Sequence, residues 1–241
     1  VDAARRYGKV CQVGTQSRSA KAVRDAIAHV HSGGIGKVSL ARGLCYKRRD
    51  SIGTQPDGPV PDGVDFDLWL GPAPKRPFNP NRFHYNWHWM WDTGAGDLGN
   101  QGIHQMDIAR WALGKDGLPR SVAAIGGRLG YVDQGETPNT LAAVFDYGDA
   151  TLVFEVRGLK TDGLVAAGKM PGVQIGDIVY GENGTVVFTS DYNKAAAFDR
   201  DGNPVKTFSG GGDHFANFAA AAKSGRPTDC NAPILEGHLS S

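Results

Sequence analysis

The stretch 84-HYNWHWMWDTGAGDLGNQGIHQMDIARWAL-113 decides how this chain is read. It gathers Trp87, Trp89, Trp91 and Trp111 with His84, His88 and His104 around a glycine-rich bend. Gly94-Ala95-Gly96 breaks the chain, Asp97 stands where an N-cap would accept a free backbone N–H, and Gly114 closes the segment. The pattern predicts a helix from Leu98 to Leu113. Spacings of i, i+4, i+7 and i+11 then put Asn100, His104, Asp107 and Trp111 on one face. Ile103, Met106, Ala109 and Leu113 fill much of the remainder, so a polar stripe runs down a largely buried helix. Buried polar groups left unpaired are costly. The stripe is therefore either a satisfied structural network or a site that awaits a ligand.

The aromatic approach points to a ligand class. Tyr85, Trp87, Trp89 and Trp91 alternate at a strand-like period, with Asn86, His88 and Met90 directed the other way. Carbohydrate sites pair aromatic platforms for the C–H faces of a ring with Asn, His and Arg for its hydroxyls. Arg82 and His84 flank the stripe, and Arg18 and Tyr46 are further candidates for substrate binding. The same tryptophans equally suit a core or a subunit interface. His84 and His88 are spaced i, i+4, but the segment does not read as helix and no carboxylate triad accompanies them, so no metal is expected.

Working outward, Ser19 to Ser32 reads as an amphipathic helix with Ser19 as N-cap and Gly33-Gly34 at its end. Lys37 to Arg48 alternates as a half-buried strand. The Pro-, Gly- and Asp-rich residues 49–80 form a long connection with one helical turn at Asp65 to Leu70, and long ordered loops are usually functional. Beyond the central helix, Ser121 to Tyr131, Thr140 to Tyr147, Thr151 to Gly158, Ile175 to Gly181 and Gly184 to Thr189 are strands. Turns at Tyr147-Gly148-Asp149-Ala150 and Glu182-Asn183-Gly184 join some of them as hairpins. The class is α+β, an open, mostly antiparallel sheet with helices on one face. Gly210-Gly211-Gly212 reads as a flexible hinge before a helix at Asp213 to Lys223.

The two ends read differently. Val1 to Tyr7 looks like the last turns of a helix capped by Gly8, and Lys9 to Gly14 like a buried strand of a parallel sheet. Pro233 to Ser241 looks like a helix that has only begun. The expectation is a fragment of a longer protein. Charge excludes little beyond nucleic acid and anionic membranes, since 26 Lys and Arg balance 25 Asp and Glu without a block of either. Cys11, Cys45 and Cys230 are odd in number and far apart, which suits buried thiols. No stretch has the length of a membrane span and no signal peptide is visible, so the expected location is the cytoplasm.

At GAGDLGNQGIHQMDIARW (94–111), with VCQVGTQSR (10–18) and DLWLGPAP (67–74), the chain resembles the Gfo/Idh/MocA oxidoreductases, a family named for glucose-fructose oxidoreductase and inositol dehydrogenases. The resemblance implies a Rossmann domain that binds NAD or NADP, followed by a domain built on a large antiparallel sheet. It implies that residues 1–16 are the tail of the first, with Gln16 at the cofactor, and that residues 17–241 are the substrate and oligomerisation domain, incomplete at its C-terminal end. The family's Glu-Lys-Pro lysine and its glycine-rich phosphate loop lie upstream of such a segment, so this chain alone is expected to hold no cofactor and to be inert. His104 maps onto the family's substrate-binding histidine, with a share in proton transfer. The family's Asp four residues earlier is Asn100 here, which can orient a hydroxyl but not carry its proton. Asp107 is shared with the family and either binds substrate or anchors the helix.

The leading expectation is the substrate domain of an NAD(P)-dependent oxidoreductase acting on a sugar, an inositol or a similar polyol. The alternatives are a non-catalytic carbohydrate-binding or assembly module, and an NAD-assisted glycoside hydrolase or lyase. An open sheet with a bare face also predicts a homodimer or homotetramer formed through that face.

Overall fold

The computed structural model describes residues 1–165, 170 and 172–241. Its frame is an eight-stranded sheet. The strands are β1 (Val38–Cys45), β2 (Ser121–Gly127), β3 (Thr140–Asp146), β4 (Thr151–Arg157), β5 (Ile175–Gly181), β6 (Gly184–Phe188), β7 (Lys194–Asp199) and β8 (Pro204–Ser209). Their spatial order is β2-β3-β4-β1-β5-β6-β7-β8. Every neighbouring pair is antiparallel except β1 with β4. The first strand in sequence thus lies at the centre, and the β3–β4 hairpin lies on one side of it with the β5–β6 hairpin on the other.

The helices are α1 (Asp2–Arg6), α2 (Lys21–His31), α3 (Phe66–Leu70), α4 (Gly96–Asn100), α5 (Gly102–Ala112), α6 (His214–Ser224) and α7 (Ile234–Ser240). α2 packs over β6, β7 and β8, and α5 over β1, β4 and β5. Between them and the sheet lie Val23, Ile27 and Val30 of α2, Ile108 and Ala109 of α5, and Phe154, Val179, Val186 and Phe188 of the strands, all buried. Burying a side chain of this size stabilises the fold by about 1.5–3 kcal/mol. Two glycines set how closely α5 approaches. A Cβ on Gly43 would lie 2.9 Å from the Cβ of Gln105, and one on Gly102 would lie 2.5 Å from the ring of Phe154. The helix that carries His104 is seated directly on the central strands.

The other face is buried at its centre and exposed toward the β2 edge. Leu44, Tyr46, Met170, Val173, Ile178, Val187 and Phe198 form a separate apolar cluster there. Toward the β2 edge, Ile125 is 80% exposed and Val144 40% exposed.

The α+β class, the open sheet and six of the predicted strands are present, although the strand expected to reach Tyr131 ends at Gly127. β7 and β8 are short, alanine-rich or polar, and were not legible as strands. Residues 9–14 do not form a parallel strand among the described residues. They bridge antiparallel at Gln12 to Pro233, with Val13 N–H bonded to the Ala232 carbonyl and Ile234 N–H to that of Cys11. Ser19 does not cap α2, whose N-cap is Ala20. Its hydroxyl instead meets His214 Nδ1 at 2.7 Å and accepts from Asn231. Asp213 caps α6 as expected, accepting from Ala216 N–H. The three glycines before it are not a hinge. Lys21 and Ala22 N–H bond the carbonyls of Gly211 and Gly210, and a Cβ on Gly212 would fall 1.9 Å from the Ser19 carbonyl oxygen.

Candidate functional site

The predicted helix from Leu98 to Leu113 is two helices. The chain turns at Gly96, which has a φ of 63° and lies against Thr137, runs through α4, and restarts at Gln101 into α5. Asp97 is therefore inside α4 and does not cap it. Its fully buried carboxylate takes two bonds from Arg49, Nε at 2.9 Å and Nη2 at 2.6 Å. Arg49 also donates to Tyr85 Oη at 2.7 Å. Asn100 Nδ2 reaches the same Asp97 carboxylate at 3.5 Å. One buried ion pair thus ties the aromatic stretch, through Tyr85, to the helix that bears Asn100.

His104 lies in the first turns of α5. Its Nδ1 is buried and has no protein partner. Its ring centroid is 6.2 Å from that of Tyr192. The Tyr192 hydroxyl accepts from Gln101 Nε2 at 3.2 Å and Gln105 Nε2 at 3.1 Å, which fixes the turn around the histidine. Burial lowers the His104 pKa against the opposing pull of Asp107, so the imidazole is neutral at pH 7. A neutral ring with a spare nitrogen can accept a hydrogen bond from a hydroxyl or take its proton.

Asp107, one turn further on, has no such spare capacity. It receives Arg18 Nε at 2.7 Å, Arg18 Nη2 at 2.8 Å and Ser240 Oγ at 2.7 Å. Arg18 also reaches Glu236 at 2.9 Å and lies 4.7 Å from the ring centroid of Trp111. Arg110 closes the network through Ser240 Oγ at 2.9 Å and a short contact to Glu236. Arg18 and Asp107, both expected at the substrate, are bound to each other and buried, and tie α5 to the turn at Gln16–Ser19 and to α7.

The aromatic stretch departs from its expected conformation. His84–Trp89 is a 3₁₀ helix, entered through His84 at a φ of 53°. At three residues per turn, positions i and i+3 align, so Tyr85 and His88 meet at 5.0 Å between ring centroids and His88 Nδ1 bonds the Tyr85 carbonyl. Trp87 and Trp89 consequently do not share a face. Trp87 is 38% exposed, whereas Trp89 is 2% exposed, with the Arg128 guanidinium 4.9 Å from its ring centroid. Trp89 is a core aromatic. His84 lies with its ring 4.1 Å from that of Phe83, and Arg82 makes only long contacts, 3.8 Å to Asp92 and 3.7 Å to Glu136.

Tyr46 is separated from this group. It follows β1 on the opposite face of the sheet from α5, in a buried apolar cluster, where its hydroxyl donates to Glu155. Gln16 is exposed in the 3₁₀ turn beside two buried hydroxyls without partners, Thr15 and Ser17. The glycines at 210–212 do not fit a nucleotide phosphate, because their backbone is pressed onto Ser19 to Ala22. Arg49, Gln101, Gln105 and Tyr192 escaped sequence reasoning. Arg49 and Asp97 are 48 residues apart, and Gln101 and Gln105 lie beside the Asn100, His104 and Asp107 stripe rather than on it.

The fold is an α+β domain on an open eight-stranded sheet. Residues 30–129 match the family model described as "Oxidoreductase family, C-terminal alpha/beta domain", that of the Gfo/Idh/MocA oxidoreductases. No curated protein matches the chain. Solved structures share the fold. An oxidoreductase of Desulfitobacterium hafniense described as NADPH-dependent superposes with a TM-score of 0.64 at 15% identity, over 98% of this chain and 60% of its own. The WlbA dehydrogenase of Bordetella pertussis, in complex with NADH and UDP-GlcNAcA, gives 0.58 at 16% identity, over 99% and 59%. The aldose-aldose oxidoreductase of Caulobacter crescentus, complexed with glycerol, gives 0.59 at 16% identity, over 99% and 59%. The chain thus spans about three fifths of the length of these structures. Among the described residues no helix is long and apolar enough to cross a membrane.

Proposed function

We propose that this chain is the substrate-binding part of an NAD(P)-dependent oxidoreductase acting on a sugar or related polyol. The observation that carries the reading is His104: a neutral imidazole with an unpartnered Nδ1, in a turn otherwise held rigid by Gln101, Gln105 and Tyr192. A nicotinamide supplies hydride exchange at a carbinol carbon. The residues of this chain bind and orient the hydroxyl and hold its proton. His104 accepts the hydroxyl hydrogen bond, Asn100 orients a neighbouring hydroxyl, and Tyr85, held by Arg49, with exposed Trp87 offers an apolar face to the ring. The sugar-acting dehydrogenases that share the fold support the substrate class. Residues 1–16, with Gln16, are assigned to the cofactor side of the site. The exposed apolar residues at the β2 edge of the sheet, Ile125 and Val144, support pairing of two copies there.

The test is turnover of the whole protein with NAD+ or NADP+ and a panel of monosaccharides and polyols. His104→Ala is expected to lower kcat/KM by about 100-fold or more, the scale of an acid/base group. Unchanged turnover in that variant removes His104 from the reaction, and sugar binding without any turnover favours a non-catalytic module.

A further inference from the structure

A second acid lies beneath the turn that carries His104. Asp177 projects from β5 toward the helices, with Gly43 of β1 and Phe188 of β6 as its register partners. It is fully buried, and neither carboxyl oxygen has a hydrogen-bond partner. An added Cβ on Gly43 would touch Gln105 and Phe154 and lie 3.4 Å from the Asp177 carboxyl, which places the acid directly under α5. The titratable groups around it are Asp107 of α5 and Tyr192. Neither is a cation, and the Arg18 guanidinium is held by Asp107 and Glu236. An isolated carboxylate in such a place is far more costly than the neutral acid. Burial, reinforced by the like charge of Asp107, pushes its carboxyl well above the usual carboxylate range.

We infer that Asp177 carries its proton in the folded protein and is a positioning residue for His104, acting through the turn from Gln101 to Gln105 that rests on it. The neutral acid permits the close seating of Gln105 on Gly43 and of Gly102 on Phe154. Ionisation demands water around the carboxylate, and water has no room until that turn lifts from the sheet. Gln101 and Gln105 share the Tyr192 hydroxyl, so the turn, Tyr192 and His104 shift together. The consequence for catalysis rests on the oxidoreductase reading. The structural linkage does not.

The sign of the pH effect follows from the direction of the shift. A carboxyl raised in the folded state stabilises fully only below its unfolded pKa near 3.9, and the contribution fades as pH rises toward the folded value. The lowered histidines act in the opposite direction: His29, His88 and His104, each depressed first by burial, withdraw stability as pH falls through about 6.5. Comparing wild type with Asp177→Asn cancels the histidines. The variant's melting temperature is expected to exceed wild type by a margin that grows by roughly 5 °C between pH 5 and pH 8. The His104 Cε1 resonance, assigned with His104→Gln, is expected to show a second inflection above its own titration in wild type and none in Asp177→Asn. A margin independent of pH, or an inflection that survives in the variant, overturns the inference. Should Asp177→Asn not fold, the same comparison with Asp177→Leu decides, and a margin over wild type that does not change with pH overturns it. Neither reading needs substrate or cofactor, so failure here is distinct from failure of His104→Ala in turnover.

Discussion

Two turns of one helix behave in opposite ways. At Asp107, the carboxylate, two arginines, Glu236 and Ser240 satisfy one another within a buried network. One turn earlier, His104 Nδ1 and both oxygens of Asp177 have no partner. Both regions are polar, both are buried against the same sheet, and from sequence alone they form a single stripe. Groups that meet each other hold the helix in place, whereas the unmet His104 nitrogen is the group proposed here for a ligand. Precision at His104 is therefore supplied by the completeness of the network at Asp107.

The largest effect should come from breaking the closed region. Asp107→Asn leaves Arg18 and Arg110 short of a buried counter-charge, and is expected to destabilise the fold by about 3–5 kcal/mol in denaturant titration. A loss below about 1 kcal/mol there would mean that the network does not hold α5. Next is the tie between the aromatic stretch and α4. Arg49→Leu strands the Asp97 carboxylate, with an expected loss of about 3 kcal/mol and a Tyr85 ring released from its place, read by its fluorescence or NMR line width. The smallest effect is sharper as a diagnostic. Tyr85→Phe removes only the bond from Arg49 at a partly exposed hydroxyl, and should cost about 0.5–1.5 kcal/mol while leaving Asp97 paired.

The same contrast explains what was legible beforehand. The period of α2, the hairpin turns beside Gly148 and Asn183, and the Asp213 cap are local signals, and each is realised where residue type dictates backbone. The polar stripe was likewise legible, because helical spacing is local. Its division into a closed and an open part was not, since the partners of Asp107 are 89 and 133 residues away at Arg18 and Ser240. Asp97 read as a cap for the same reason: nothing near it announces Arg49. The 3₁₀ turn at His84–Trp89 hid behind an alternating pattern that its bonds to the Tyr85 and Trp87 carbonyls override.

Equilibrium unfolding of Asp107→Asn beside His104→Gln tests the division most directly. If His104 is held open for a ligand, its substitution should shift stability by less than about 1 kcal/mol while Asp107→Asn costs several times more. Equal losses in the two variants would show that the imidazole is as much an anchor as the carboxylate, and the site assigned here would be gone.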